Sequence, residues 1–392
     1  MSNPGLIVVG SGPAGISAAE SYRKHGGSGP VLVLSADGDL PYERPPLSKD
    51  FLQGDTDDVA LHPAEWFTDR DIDLRHGCPV DAIDTDGHSV TVDGERIPYG
   101  ALVVALGAGP SPLPVPGGDR ALLLRALTDA RQLRSAAANA TSAVVIGAGF
   151  IGCEAAASLA MRGLPVTLVA PDRVPQEKRL GAEAGERLLN LVTSTGVRYV
   201  GGASVEAMEG DGVRLDDGVT IACDLVLAAT GVSPRSSVAA AAGLQMQDSR
   251  IVVGADMRTS ATDVYAAGDV TFAFNTVAGR HLAVEHWQDA IDHGTVAGAQ
   301  AAGAAATWDA VPGFWSTIGD ATIKYHAWGD GYDGRRLVDH DDGFTVWYEA
   351  GGAAVGVLTY NADDDYDLGE TLIAAGRPAP VSTSRDAADR PE

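Results

Sequence analysis

Two stretches of this chain share one design. Leu6-Ile7-Val8-Val9 runs into Gly10-Ser11-Gly12-Pro13-Ala14-Gly15 and then Ile16-Ser17-Ala18-Ala19. Ala143-Val144-Val145-Ile146 runs in the same way into Gly147-Ala148-Gly149-Phe150-Ile151-Gly152-Cys153-Glu154. Each reads as a buried strand, a tight Gly-x-Gly-x-x-Gly turn and a helix. The first glycine allows the turn, the second lets a pyrophosphate approach the backbone, and the third lets helix and strand pack closely. The helix N-terminus adds N–H donors and partial positive charge. One such loop is a weak signal. Two in one chain imply two bound dinucleotides, and hence electron transfer between them.

Around these loops lie the continuous apolar runs of buried parallel strands: Val31 to Leu34, Ala101 to Ala105, Val166 to Val169, Leu225 to Ala229 and Val264 to Ala266. Val80 to Ile97 alternates apolar and polar around Asp86-Gly87 and Asp93-Gly94, the pattern of short hairpins. Pro110 to Gly118 is proline-rich, stiff and extended, which marks a crossing between domains. From Val311 onward, Thr322 to Trp328, Phe344 to Tyr348 and Ala353 to Leu358 read as antiparallel strands, closed by a helix near Leu368 to Ala375. A tail from Arg377 is expected to be too polar and proline-rich to order itself. The fold class is α/β: two Rossmann-like dinucleotide-binding domains plus a small α+β C-terminal domain. A chain of 392 residues has the length for two or three domains.

Several polar residues stand where chemistry would need them. Ser35 and then Asp37 follow the second strand, where an acid commonly takes ribose hydroxyls; Asp37 is the candidate, and a solvated loop acid the ordinary alternative. In Pro41-Tyr42-Glu43-Arg44-Pro45-Pro46-Leu47-Ser48-Lys49 the prolines fix the backbone, and Ser48 is expected to cap a helix that carries Lys49 in its first turn. Asp269 follows Gly268 at a strand end, where its carboxylate can accept hydrogen bonds from a cofactor's sugar chain, unless it is an ordinary turn Asp. Cys78, Cys153 and Cys223 are odd in number and lack C-x-x-C spacing, so a reducing cytoplasm is the expected compartment. His286 and His293 can share a helix face, but two histidines without further ligands make no metal site. The first apolar run lacks a basic flank, which argues against a signal peptide or anchor, and a net charge of -25 argues against nucleic acid and anionic membranes.

The segment Pro41 to Lys49 resembles the signature of the flavoprotein NADH:ferredoxin reductases that serve oxygenase systems. Gly147 to Glu154, Ala229-Thr230-Gly231, Ala267-Gly268-Asp269, Val284-Glu285-His286-Trp287 and Phe314-Trp315-Ser316 extend the resemblance, which runs from about Leu6 to Leu358. It implies FAD on the first loop and NADH on the second, with electrons leaving singly for a small iron–sulfur ferredoxin. It further implies that residues 1–115 and 239–310 form a FAD domain split by an NAD(P)H domain at 116–238, with 311–392 covering the flavin. The implied catalytic residues are Lys49, paired with Glu154 at the flavin edge, together with Glu285 and Trp315 at the flavin and nicotinamide stacking site. The implied FAD contacts are Gly10, Gly12, Pro13, Ala14, Gly15, Ser35, Asp37, Arg44, Lys49, Gly107, Gly268, Asp269, Glu285, His286 and Trp287. Those for NAD(P)H are Gly147, Gly149, Phe150, Ile151, Gly152, Glu154, Asp172, Arg173, Lys178, Thr230 and Gly231. The ordinary alternatives are an exposed helix acid for Glu154 and core packing for Trp315.

The chain departs from that family in places. Ala170-Pro171-Asp172-Arg173 stands where a glutamate usually selects NADH; Asp172 can replace the acid, whereas Arg173 or Lys178 can accept a 2′-phosphate, so NADPH stays open. Leu106 replaces a usual Thr, and Thr317-Ile318-Gly319 replaces a usual Asp-Gln. The second departure keeps two rivals in view: an NAD(P)H oxidase or small-molecule reductase without ferredoxin, and a slow redox sensor like apoptosis-inducing factor. Pro-Pro-Leu-Ser stands where related disulfide reductases carry cysteine, so a thiol relay is disfavoured. An acidic ferredoxin would need a local basic patch, with Arg44, Arg70, Arg75 and Lys324 as candidates, on a monomer or homodimer.

Overall fold

The structure is a computed structural model and describes residues 5–381. Strands that are apolar on both faces must be covered on both, and here they pair in parallel. The first sheet runs in the spatial order Val264–Ala266, Ala101–Val104, Leu6–Val9, Val31–Leu34, Ile72–Arg75. The second runs Arg198–Gly201, Val166–Ala170, Ala143–Ile146, Leu225–Ala228. Because Val264–Ala266 joins the first sheet from beyond the second, the chain leaves the first sheet and comes back to it. The outward and return crossings pair with each other, Ala108–Pro110 lying antiparallel to Val232–Pro234. The proline-rich connector therefore starts from a two-stranded ribbon.

The two glycine turns are near copies. Gly10 has φ +108° and Gly147 φ +103°, and a Cβ would fall 2.2 Å from the Ala105 carbonyl oxygen in one and 2.4 Å from that of Ala229 in the other. Only glycine tolerates both that backbone and that approach. Each turn opens a helix, Pro13–Lys24 or Phe150–Met161, whose N-cap glycine offers no side-chain hydrogen bond. A later helix, Trp287–Ala301, lies directly on Pro13–Lys24: a Cβ at Gly294 or Gly298 would come within 2.1 Å of the Ala14 or Ala18 carbonyl oxygen. That close crossing brings His286, at the start of the later helix, toward the first loop.

The C-terminal strands form an antiparallel sheet in the order Gly313–Ile318, Ala321–Ala327, Ala353–Tyr360, Phe344–Ala350, Gly334–Asp339. Its two faces follow the period of two. Ile323, Tyr325, Val346, Tyr348 and Leu358 share a core with Ala155, Leu159 and Leu188 of the second nucleotide-binding unit, whereas Val357 and Trp347 pack with Leu372 and Ile373 of the helix Asp363–Ala374. The expected disordered tail is corrected in part. The Ala354 N–H donates to the Arg377 carbonyl at 2.8 Å, and buried Ala379 donates its N–H to Glu349 at 3.1 Å. The end of the sheet supplies partners that composition alone does not reveal; residues 382–392 lie outside the described residues. No helix among the described residues is long and apolar enough to cross a membrane.

Two outcomes follow from this packing. Gly298→Ala should lower stability by about 1–3 kcal/mol, read from the urea midpoint, because the new methyl meets backbone rather than a mobile side chain; an unchanged midpoint would show that the helices can part freely. His293 is buried against Trp308 with its Nε2 unpartnered, and burial pushes its imidazole down to about 4. Unfolded, it protonates near pH 6.5, so stability should fall as pH drops from about 6.5 to about 4 and level off below. A His293→Met variant should lose less melting temperature across that window.

Candidate functional site

Pro45 and Pro46 start a short 3-10 helix, Pro45–Ser48, and a second short helix, Asp50–Gln53, begins beyond Lys49. Ser48 does not cap it, which corrects the expectation from sequence. Its hydroxyl donates instead to Glu154 Oε2 at 2.5 Å. A buried carboxylate is the stronger acceptor, and the helix junction turns Ser48 toward it. Lys49 Nζ donates to the same oxygen at 2.8 Å and to the Pro45 carbonyl at 2.9 Å. Ser316, from the C-terminal sheet, donates to Glu154 Oε1 at 2.6 Å. The Glu154 side chain is 2 % exposed and that of Lys49 12 %, so Glu154 is not a solvated helix acid. Three segments far apart in sequence thus meet on one carboxylate. Ser316 was not among the residues singled out from sequence, because only the fold brings it to Glu154.

The first loop carries an anion cradle. Arg44 lies over it, with Nη1 3.0 Å from where a Cβ on Gly12 would stand, and its Nε is buried without a partner. Burial, with Arg125 adding repulsion, pushes the Arg44 guanidinium below its ordinary pKa. Arg125, absent from the sequence reading, is set by Asp129, whose Oδ2 accepts the N–H groups of Arg125 at 3.0 Å and Ala126 at 2.8 Å; its guanidinium pairs with buried Asp269. Gly268 abuts Ala14, so Asp269 is brought to the loop. Clustered guanidinium groups, an orphaned buried N–H and an uncapped helix N-terminus together fit a bound pyrophosphate. Beside them, buried Ser35 meets Ser11 Oγ at 2.7 Å, and Asp37 accepts the Tyr42 hydroxyl at 2.7 Å. Gly107 stands next to the ribbon, its carbonyl accepting the Arg235 N–H at 2.9 Å.

At the second loop, Thr230 N would lie 3.5 Å from a Cβ on Gly147, and Gly231 accepts the Ser111 N–H at 2.9 Å at the crossing ribbon. Ile151 is exposed at the start of its helix. Phe150 packs edge-on against Phe314 at 4.7 Å, and Phe314 also meets His286 at 4.8 Å. Phe314, not Trp315, therefore joins the second loop to the start of helix Trp287–Ala301. Trp315 lies on the other face of its strand, opposite Lys324, and is 44 % exposed, which rules out core packing. Glu285 pairs with Arg250, and His286 with Asp289 at 3.2 Å; Trp287 is half-buried. The altered segment after Ser316 makes a hairpin, with Thr317 and Thr322 hydroxyls 3.0 Å apart across Gly319-Asp320.

The cations proposed for a docking patch are each engaged elsewhere. Arg44 is turned into the first loop, Arg70 stacks on Trp66 at 4.2 Å, Arg75 pairs with Asp73 at 3.2 Å, and Lys324 with Asp363 at 2.8 Å. They do not make up a free basic face.

Known proteins resemble this whole arrangement. The sequence profile of the pyridine nucleotide-disulphide oxidoreductases matches residues 4–294. Rhodocoxin reductase of Rhodococcus erythropolis is 34 % identical over 98 % of this chain and 92 % of its own length. The ferredoxin–NAD(+) reductase component of an anthranilate 1,2-dioxygenase system from Burkholderia cepacia is 33 % identical, over 96 % and 95 % respectively. The crystal structure of the covalent putidaredoxin reductase–putidaredoxin complex superposes with a TM-score of 0.90 at 28 % identity, covering 96 % of this chain and 94 % of that one.

Removing Lys49 should leave Glu154 buried and under-compensated. Lys49→Met is expected to cost roughly 3 kcal/mol in denaturant unfolding, and the double variant Lys49→Met/Glu154→Leu to recover much of it. Equal losses in the two proteins would mean that the orphaned Glu154 carboxylate is not the source of the cost.

Proposed function

The chain belongs to the pyridine nucleotide-disulphide oxidoreductase family, and from that premise we propose that it takes hydride from NADH onto FAD and hands the electrons singly to a ferredoxin-type iron–sulfur protein serving an oxygenase. The observation that carries this reading is the clamp of Lys49, Ser48 and Ser316 on Glu154, set on the helix of the second dinucleotide loop and with no thiol among its donors. Cys153 and Cys223 are buried, and burial pushes both thiols up, that of Cys223 to about 11. Neither is a relay nucleophile at neutral pH.

FAD bound at the first loop supplies the conversion between a hydride donor and a one-electron acceptor. The residues of the chain do the rest. Arg44 and the N-terminus of helix Pro13–Lys24 would hold the pyrophosphate, with Arg125 and Arg235 close by, and Asp269, paired here with Arg125, would offer its carboxylate to the sugar-chain hydroxyls. Lys49 keeps a fixed positive charge beside the reacting edge, where negative charge develops. Glu154 holds that ammonium in place, aided by two hydroxyls, so the charge needs no reorientation during reaction. Phe150, Phe314 and His286 pack as rings between the second loop and the start of helix Trp287–Ala301 and would limit water there.

Cytochrome c reduction by NADH should depend on added ferredoxin, with little oxygen consumed without it; rapid oxygen consumption and no ferredoxin dependence would make the protein an oxidase instead. In anaerobic stopped flow, Lys49→Ala should slow bleaching of the flavin by NADH by about tenfold or more. A rate equal to that of the parent protein would remove Lys49 from the chemistry.

A further inference from the structure

The strand Val166–Ala170 ends on a buried alanine, where a dinucleotide-binding unit ordinarily presents an acid to the adenosine ribose. The next loop is held rigidly. The Tyr199 hydroxyl donates to the Asp172 carbonyl at 2.9 Å, and the Gly202 N–H donates to it at 3.2 Å. Gln176 then adopts a left-handed backbone, φ +59°, with its amide nitrogen 3.8 Å from where a Cβ on Gly149 would stand. Gln176 thus lies beside the middle glycine of the second loop, and Glu177 follows it.

Its carboxylate turns back to the strand end. Glu177 Oε2 accepts the Arg173 backbone N–H at 3.0 Å, and Oε1 accepts Nε at 3.2 Å and Nη2 at 2.6 Å from the same arginine. Those bonds hold the Glu177 carboxyl below the usual carboxylate range. Next to it, Asp172 pairs with Lys178 at 3.2 Å. The two pairs share one polarity: Glu177 and Asp172 are 22 % and 21 % exposed, whereas Arg173 and Lys178 are 80 % and 82 % exposed. The acids lie inward and the bases outward. An inward rim of carboxylates accepts ribose hydroxyls and repels a 2′-phosphate, and the arginine that would otherwise bind the phosphate has its Nε and Nη2 already engaged.

We propose that Glu177 selects NADH over NADPH, taking the place of the strand-end acid that Ala170 does not supply. The proposal rests on reading the second loop as the nicotinamide dinucleotide site. Its test is equilibrium binding, by calorimetry on the FAD-loaded protein, of ADP-ribose and of 2′-phospho-ADP-ribose. The parent protein should bind ADP-ribose at least about tenfold more tightly, the size of one hydrogen bond to a charged group. Glu177→Gln should erase or invert that ratio, Glu177→Asp should keep most of it, and Arg173→Ala in the Glu177→Gln background should remove the gained phosphate affinity. Arg173→Ala alone leaves Glu177 in place and should raise the preference for ADP-ribose; it serves even if Glu177→Gln does not fold. A Glu177→Gln protein that binds ADP-ribose with the parent ratio would overturn the assignment, as would an Arg173→Ala protein with a lowered one. If the parent protein binds neither nucleotide, the reading of the second loop itself fails.

Discussion

Three parts of the chain converge on the Glu154 carboxylate. An acid 2 % exposed is costly unless its charge is compensated and its lone pairs are used, and here an ammonium and two hydroxyls do both. The donors come from the proline-fixed segment between the strands Val31–Leu34 and Ile72–Arg75 of the first sheet and from the edge strand of the C-terminal sheet, and the acceptor from the helix of the second glycine loop. Removing any of these segments leaves a buried charge short of a partner. The arrangement therefore links three parts of the chain through one polar contact, and it fixes a positive charge against the helix of the second loop.

The packing around that contact keeps it in register. Twin glycine turns fix the starts of the two loop helices, the glycine-mediated crossing sets helix Trp287–Ala301 against the first of them, and the core shared by Leu159, Tyr325 and Leu358 seats the C-terminal sheet on the second unit. Phe314 then touches both sides, meeting Phe150 of the second loop and His286 of the crossing helix. Alternation along the strand Gly313–Ile318 directs Ser316 and Phe314 to this side and Trp315 to the other, where it is open to solvent beside the Lys324–Asp363 pair.

Much of this was legible in the sequence because it is local. The strand, glycine turn and helix are contiguous, so both loops can be read from a dozen residues each, and Pro45-Pro46 announces a fixed backbone before Lys49. What escaped is what depends on distant partners. Ser48 looks like a cap because its rival acceptor lies 106 residues away, and Arg125 looks unremarkable because Asp269 is 144 residues away. Core packing looks like a fair reading of Trp315 beside Phe314 until the strand register turns its side chain to the solvent face. The segment after Arg377 looks disordered by composition, yet Ala354 and Glu349 bind its backbone. Glu177 escaped for a different reason: it lies seven positions beyond the strand end, past the place where the ribose acid ordinarily stands.

An anaerobic spectral titration of the FAD-loaded protein tests the two loops and the clamp most directly. One equivalent of NADH should bleach the flavin fully, and oxidised ferredoxin added next should restore the flavin colour with about two ferredoxins reduced per flavin, the stoichiometry of one hydride divided into single electrons. A flavin that NADH does not bleach, or that bleaches but passes nothing to ferredoxin, would contradict the assignment of the two loops and of the clamp between them.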